Sequence, residues 1–229
     1  MKVILFGATG MVGQGVLREC LLAPDVERVL AVGRRPTGQN HPRLAELIAP
    51  DLFDLEPHAA ALTGLDACFF CLGVSSAGMA EAAYSRLTHD LTLAAAALLA
   101  ARNPAMTFVY VSGAGTDATE RGSSMWARVK GETENALLRL PFKAAFMFRP
   151  GFIRPLHGAA SRTPWLRALY AGLSPLFPLV ERLAPRWTTT TERLGLAMLE
   201  VARRGAPAAV LESQAIDRLG RGAVTPAGS

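Results

Sequence analysis

One stretch near the start of the chain, Gly7-Ala8-Thr9-Gly10-Met11-Val12-Gly13, constrains the fold more than any other. It follows an apolar run, Val3 to Phe6, and leads into apolar residues at helical spacing: Met11, Val12, Val16, Leu17 and Leu21. Strand, tight turn and helix in that order form the opening unit of a dinucleotide-binding sheet. Each glycine has a physical task at this spacing. Gly7 lets the chain turn sharply out of the strand, Gly10 lets the backbone approach a pyrophosphate, and Gly13 lets the helix pack closely on the sheet. The helix N-terminus then offers free N–H groups to the anion, with the Thr9 hydroxyl beside them. A plain structural turn also favours glycine, but the strand-to-helix context argues for the binding turn.

The rest of the chain repeats the alternation. Residues 28–32, 45–49, 67–72, 107–111 and 144–148 read as further strands, and 67–72, apolar on both faces, suits a buried parallel strand. Between them the spacing predicts a short helix over 57–62, a long one over 81–102, and one over 124–140 capped by Ser123 or Ser124. The result is an α/β fold, a doubly wound parallel sheet of the Rossmann type, in a single domain over residues 1–220. Residues 153–220, helical in pattern and rich in proline, are too few for an independent domain and are expected to form a small helical C-terminal lobe on the substrate side. Within it Trp165, Leu166, Leu169, Tyr170 and Leu173 have the spacing of an amphipathic helix. Thr188 to Thr191 should cap a helix over 192–203, and a strand over 209–211 should precede a short helix to Leu219. Residues 221–229 are expected to be a disordered tail.

Ligands of an open parallel sheet bind outside the carboxyl ends of its strands, which selects the cofactor-binding candidates. These are Gly7, Ala8, Thr9, Gly10, Met11, Val12 and Gly13 after the first strand, Arg34 and Arg35 after the second, and Asp51 and Leu52 after the third. Cys71, Leu72 and Gly73 follow the fourth, and Pro150 and Gly151 the sixth. An acidic residue at the end of the second strand would hydrogen-bond the adenosine ribose, whereas a guanidinium there pairs with a 2′-phosphate. The arginines stand at that end, while Asp25 and Glu27 lie at the other. NADP(H) is therefore expected over NAD(H), the alternative being that both arginines simply face solvent. Asp51 is placed to receive the adenine amino group, although Pro50 beside it makes an ordinary turn equally fitting. Ser112, at the end of the fifth strand, is a candidate for catalysis.

Other classes are excluded on charge and spacing. The net charge is +5, yet no run of consecutive basic residues exceeds two, so a nucleic-acid surface is not expected. Cys68-Phe69-Phe70-Cys71 spells C-x-x-C, but side chains three apart on a strand point to opposite faces and cannot share a metal, so no metal site is expected. Cysteines in apolar segments suit a reducing compartment. The apolar run at the N-terminus is too short for a signal peptide, and the longest apolar region, 165–187, carries charges and prolines that rule out stable membrane insertion. The expectations are a cytoplasmic protein with a small-molecule substrate of unknown identity, and a homodimer left as an open option.

With these pieces in order, the chain resembles the atypical short-chain dehydrogenase/reductases, nearest to the HIV Tat-interactive oxidoreductase-like and NAD-dependent epimerase-like subgroup. The resemblance rests on GATGMVG at 7–13, VGRR at 32–35, CLG at 71–73, VKGETE at 129–134, FRPG at 148–151 and LESQAIDRLG at 211–220. It implies the Rossmann fold, a nicotinamide cofactor, and an active site of Ser, Tyr and Lys with the last two spaced Y-x-x-x-K. Four residues is about one helical turn, so the lysine lies beside the phenol, lowers its pKa and anchors the nicotinamide ribose. Lys130 matches that lysine, as catalytic and cofactor-binding residue, and Ser112 matches the serine loosely, with Gly113 where relatives often carry a second serine. Four residues before Lys130 stands Trp126. An indole N–H donates a hydrogen bond but exchanges no proton near neutral pH.

That departure keeps several function classes open. In the first, the chain is an NADP(H)-dependent oxidoreductase in which Lys130, its pKa lowered by burial, handles the proton of a small carbonyl or hydroxyl substrate. In the second, it is a non-catalytic regulator or partner-binding protein that senses NADP(H). A sugar-nucleotide epimerase or dehydratase is a third. Tyr84 and Tyr110 read as packing residues, which leaves Tyr170, His157 or water as substitute donors in place of the tyrosine.

Overall fold

The computed structural model describes residues 1–160 and 187–224. The expected amphipathic helix around Trp165 and Tyr170, and the tail beyond residue 224, lie outside the described residues.

Largely apolar runs of three to six residues become the strands of one sheet. β1 (Lys2–Phe6) lies between β2 (Arg28–Gly33) and β4 (Ala67–Phe70); β3 (Leu44–Ile48) flanks β2, and β5 (Thr107–Val111), β6 (Ala144–Arg149) and β9 (Val210–Glu212) continue beyond β4. The order is β3-β2-β1-β4-β5-β6-β9 and every pairing is parallel. The strand order reverses between β1 and β4, which opens a crevice at their carboxyl ends.

Alternation along the strands feeds two cores. Val3, Leu5, Phe69 and Val109 pack on one face with Val16 and Leu17 of α1 (Met11–Leu22), while Ile4, Phe6, Phe70 and Phe108 point to the other. The second face is covered by a long helix, α2 (Glu81–Ser85), a π-helical turn (Arg86–Asp90) and α3 (Leu91–Arg102), and by α4 (Met125–Leu138). Phe6, Phe70 and Phe108 stack across three strands with centroids 5.0 and 6.0 Å apart. Cys68 and Cys71 fall on opposite faces as the strand period requires, and burial pushes both thiols well above their ordinary value. Arg43 donates to the carbonyls of Leu21, Ala23 and Val26, and so satisfies the open C-terminal end of α1.

The C-terminal third differs from the helical expectation. β7 (Phe152–Arg154) pairs in parallel with β8 (Thr188–Thr190), so the threonine run is a strand, as β-branched residues favour. Thr190 still caps the helix that follows, α5 (Thr191–Arg204), its hydroxyl accepting from the Arg193 N–H at 3.0 Å. α5 packs on α1 in the first core, with Leu194 and Met198 fully buried. α6 (Ser213–Val224) runs past the expected stop at Leu219, so residues 221–224 are helical rather than disordered. The extra turn is tied down by Arg221, which donates to Asp217 one turn earlier at 2.7 Å, and Asp217 also accepts from Arg193 at 2.8 Å. Smaller shifts occur at 57–62, which is a 3₁₀ helix (Glu56–Leu62), and at β4, which ends at Phe70 because β1 offers no partner beyond Phe6.

Candidate functional site

The crevice at the switch point is a cleft of about 440 Å³. Gly7, Ala8 and Thr9 form its floor, Arg34 and Arg35 its rim, and Ile48, Leu52 and Leu72 its apolar side. Gly7 sits at φ +80°, and a Cβ there would lie 2.7 Å from the Cys71 carbonyl carbon, so the turn is closed to any other residue. A Cβ on Gly13 would lie 2.0 Å from the Gly7 oxygen, which is the close helix-to-turn contact expected of this position. Gly10, by contrast, has no such crowding: its nearest neighbour would be 3.4 Å away. Gly10 is also the N-cap of α1 and brings no side-chain cap, so the helix start is free to receive an anion. These features fit a dinucleotide phosphate.

At the carboxyl end of β5 a second group of residues comes together. The Lys130 ammonium, on α4, donates to the backbone carbonyl of Ser112. Burial brings its pKa down from 10.5 to about 8, opposed by the attraction of Glu134. The Ser112 hydroxyl does not face the cleft: it donates to Glu134 Oε1, with the Phe148 carbonyl 3.1 Å away. Glu134 is 1% exposed and is gripped by Arg149, whose Nε reaches both carboxylate oxygens at 3.1 Å. Ser112 is thereby brought to Lys130 through its carbonyl, while the hydroxyl expected to touch substrate is turned inward. The Trp126 indole packs over the loop after β5, its ring within 4.0 Å of where Gly113 and Gly115 would carry a Cβ.

Of the cofactor candidates, the cleft collects Gly7, Ala8, Thr9, Arg34, Arg35, Leu52 and Leu72. Gly10, Met11, Val12 and Gly13 run from its floor into α1. Asp51 does not line it; its carboxylate accepts from the Phe53 N–H at 2.8 Å, the ordinary turn. Glu46 of β3, which the sequence reading missed, enters the cleft instead, and its carboxylate is held by the N–H and hydroxyl of Thr37. Cys71 hydrogen-bonds back to Phe6 at 3.0 Å, and Gly73 lies beyond the cleft lining. Pro150 accepts from Ala114 at 2.9 Å, and Gly151 is required by packing, since a Cβ would lie 2.4 Å from the Trp187 carbonyl oxygen. Tyr84 and Tyr110 are buried in packing positions, as expected. His157 is paired with Glu192 beside α1, outside this cleft, and Tyr170 lies outside the described residues.

Comparison with known proteins places these features in context. The sequence profile of the NAD dependent epimerase/dehydratase family matches residues 3–123. The chain is 33% identical over 175 residues to protein fmp52-1, mitochondrial, of Aspergillus terreus, covering 69% of this chain and 72% of that one. It is 27% identical over 177 residues to protein HTATIP2 of Rattus norvegicus, covering 76% and 72%. Among solved structures it is similar to the Bordetella bronchiseptica enzyme WbmF in complex with NAD+, with a TM-score of 0.65 at 14% identity, over 97% of this chain and 77% of that one. The cytoplasmic expectation is corrected by these relatives, since fungal proteins among them are named mitochondrial. Among the described residues no helix is long and apolar enough to cross a membrane.

Proposed function

Since the chain belongs to the NAD-dependent epimerase/dehydratase family, we propose that it is an NADP(H)-dependent oxidoreductase of a small carbonyl or hydroxyl substrate, with Lys130 handling the proton. The observation that carries this reading is the Lys130 ammonium itself, held at the carboxyl edge of the sheet with a pKa near 8. A group that titrates close to working pH is the kind that exchanges protons efficiently. A nicotinamide dinucleotide, when bound, supplies the hydride. The chain supplies the rest: the start of α1 for the pyrophosphate, the Arg34 and Arg35 guanidinium groups for a 2′-phosphate, and a proton at Lys130 Nζ for the substrate oxygen.

The choice of NADP(H) is supported by charge. Arg34 and Arg35 are exposed on the cleft rim, and among the described residues neither is ion-paired, whereas the Glu46 carboxylate is engaged by Thr37. Arg34→Ala is expected to weaken NADPH binding about tenfold or more, the scale of a lost charge-assisted contact, and to leave NADH binding within about twofold. Calorimetric titration of both cofactors checks this; equal losses would remove Arg34 from the phosphate site.

Trp126 supports a second reading, a protein that senses NADP(H) without turning it over, because the indole has no proton to exchange. The experiment that separates the two is NADPH consumption with a panel of aldehydes, ketones and quinones. Consumption above background supports the enzyme, and binding without consumption supports the sensor. Trp126→Tyr restores the Y-x-x-x-K spacing with Lys130 and is expected to raise reductase activity about tenfold or more, toward the lower end of what a positioned general acid contributes. No gain would mean that the pocket serves another purpose.

A further inference from the structure

The oxidoreductase reading uses Lys130 but leaves Glu134 without a task. Glu134 is 1% exposed, and a carboxylate so deeply buried is costly unless it is fully paired. Its pairing is complete. One helical turn beyond Lys130 on α4, it accepts from the hydroxyl of Ser112, the residue after β5, and from the Arg149 guanidinium of β6. Ser112 in turn offers its backbone carbonyl to Lys130 Nζ, and its N–H is fixed on the Phe148 carbonyl at 2.8 Å. The ammonium and the carboxylate are therefore joined twice, by charge along one helix face and by one serine that touches both.

We propose that Glu134 is a positioning residue for Lys130: through the Ser112 hydroxyl it fixes the carbonyl on which the ammonium rests, and from one turn away it supplies the opposite charge. This inference rests on the reading of Lys130 as the proton-handling group. The groups around the pair come from the neighbouring strands and from the helix packed across α4, where α2 brings Glu81, paired with Arg128 at 2.7 Å, and the Tyr84 phenol, whose pKa is raised chiefly by burial. The end of β5 brings Ser112 and the buried Tyr110 phenol, whose pKa is raised chiefly by burial and so stays neutral; β6 brings Arg149; and β9 brings Glu212, which meets Arg149 at 3.3 Å. Burial lowers the pKa of Lys130 and the Glu134 carboxylate raises it. A pair serving only to staple α4 to β6 would need Arg149 and Glu134 but no link to Lys130.

The chain has three lysines, Lys2, Lys130 and Lys143, so direct titration is practical. Lysine labelled with 13C at Cε and 15N at Nζ gives three side-chain signals by NMR, and Lys2→Arg and Lys143→Arg assign them. In Glu134→Gln the Lys130 midpoint is expected to fall by about one pH unit or more, the effect of losing an opposite charge at this range. Glu134→Gln/Arg149→Gln removes both buried charges and leaves amides able to pair with each other, so it serves if the single variant does not fold, with a smaller downward shift expected because the Arg149 cation leaves with the carboxylate. A folded variant whose Lys130 titrates at the wild-type midpoint would overturn the proposal, even if its melting temperature is lower. The titration needs no substrate. A shifted midpoint in a protein that consumes no NADPH would support the positioning and contradict the oxidoreductase reading.

Discussion

Gly13→Val is expected to abolish dinucleotide binding and to lower the melting temperature together, while Gly10→Ala should weaken binding and leave the fold alone. The two glycines lie in one motif, yet the space around them differs. A Cβ at Gly13 would sit 2.0 Å from the Gly7 oxygen and 2.9 Å from the Ala8 Cα, both backbone atoms of the turn that floors the cleft. Neither can move without dragging β1 or α1, so a valine has to lift the helix off the turn. Overpacking of this kind costs about 1–3 kcal/mol, and each kcal/mol lowers the melting temperature of a chain this size by roughly 2–4 °C. Gly10 has 3.4 Å of clearance, and its methyl would project where an anion approaches the start of α1. Thermal melts and NADPH titration of both variants check the contrast. Two variants that melt alike would show that Gly13 is not the contact that shapes the turn.

Lys130→Met is expected to reduce turnover by about 10²–10⁴-fold, the range for a lost general acid or base, while the protein stays folded at pH 7. The sign of the stability effect follows from the lowered pKa. Folded, the amine gives up its proton near pH 8, whereas in the unfolded chain it keeps it to about 10.5. Between those values the unfolded state binds more protons, so stability rises with pH, and below about 8 the buried ammonium is a standing cost. Methionine removes that cost and fills similar volume. The variant should therefore melt at or above the wild-type temperature at pH 7, with the difference shrinking as pH rises from 8 toward 10.5. Lost turnover accompanied by a large drop in melting temperature would assign Lys130 to the structure and not to the chemistry.

Much of the architecture is legible because it rests on local pattern. Continuous apolar runs such as Ala67–Phe70 and Thr107–Val111 become inner parallel strands, and the crowding at Gly7 and Gly13 is written in their identity. What is not legible depends on register between distant segments. Asp51 follows β3 and looks well placed for a ligand, but the parallel register of Ala31 with Glu46 is what brings a carboxylate into the cleft. A single sequence contains no signal for that pairing. Ser112 is similar: its position at the end of β5 is readable, but its hydroxyl turns toward Glu134, which lies 22 residues along on α4. The Glu134–Arg149 pair was missed for the same reason, although the i,i+4 spacing of Lys130 and Glu134 is a cue that could have raised it. β7 and β8 pair residues 36 apart in the chain, from Phe152–Thr188 to Arg154–Thr190, and only the run of threonines hints at a strand.

The central claim is that Lys130 delivers a proton during NADPH-dependent reduction, and the pH dependence of kcat/KM for NADPH consumption tests it most directly, since that parameter reports groups in the free enzyme. The lysine is charged below its pKa of about 8 and empty above it. The account predicts a reduction rate that is level below about pH 8 and falls tenfold for each further unit, with the break absent in Lys130→Met. A wild-type profile that runs flat through pH 8 to 10 would contradict it.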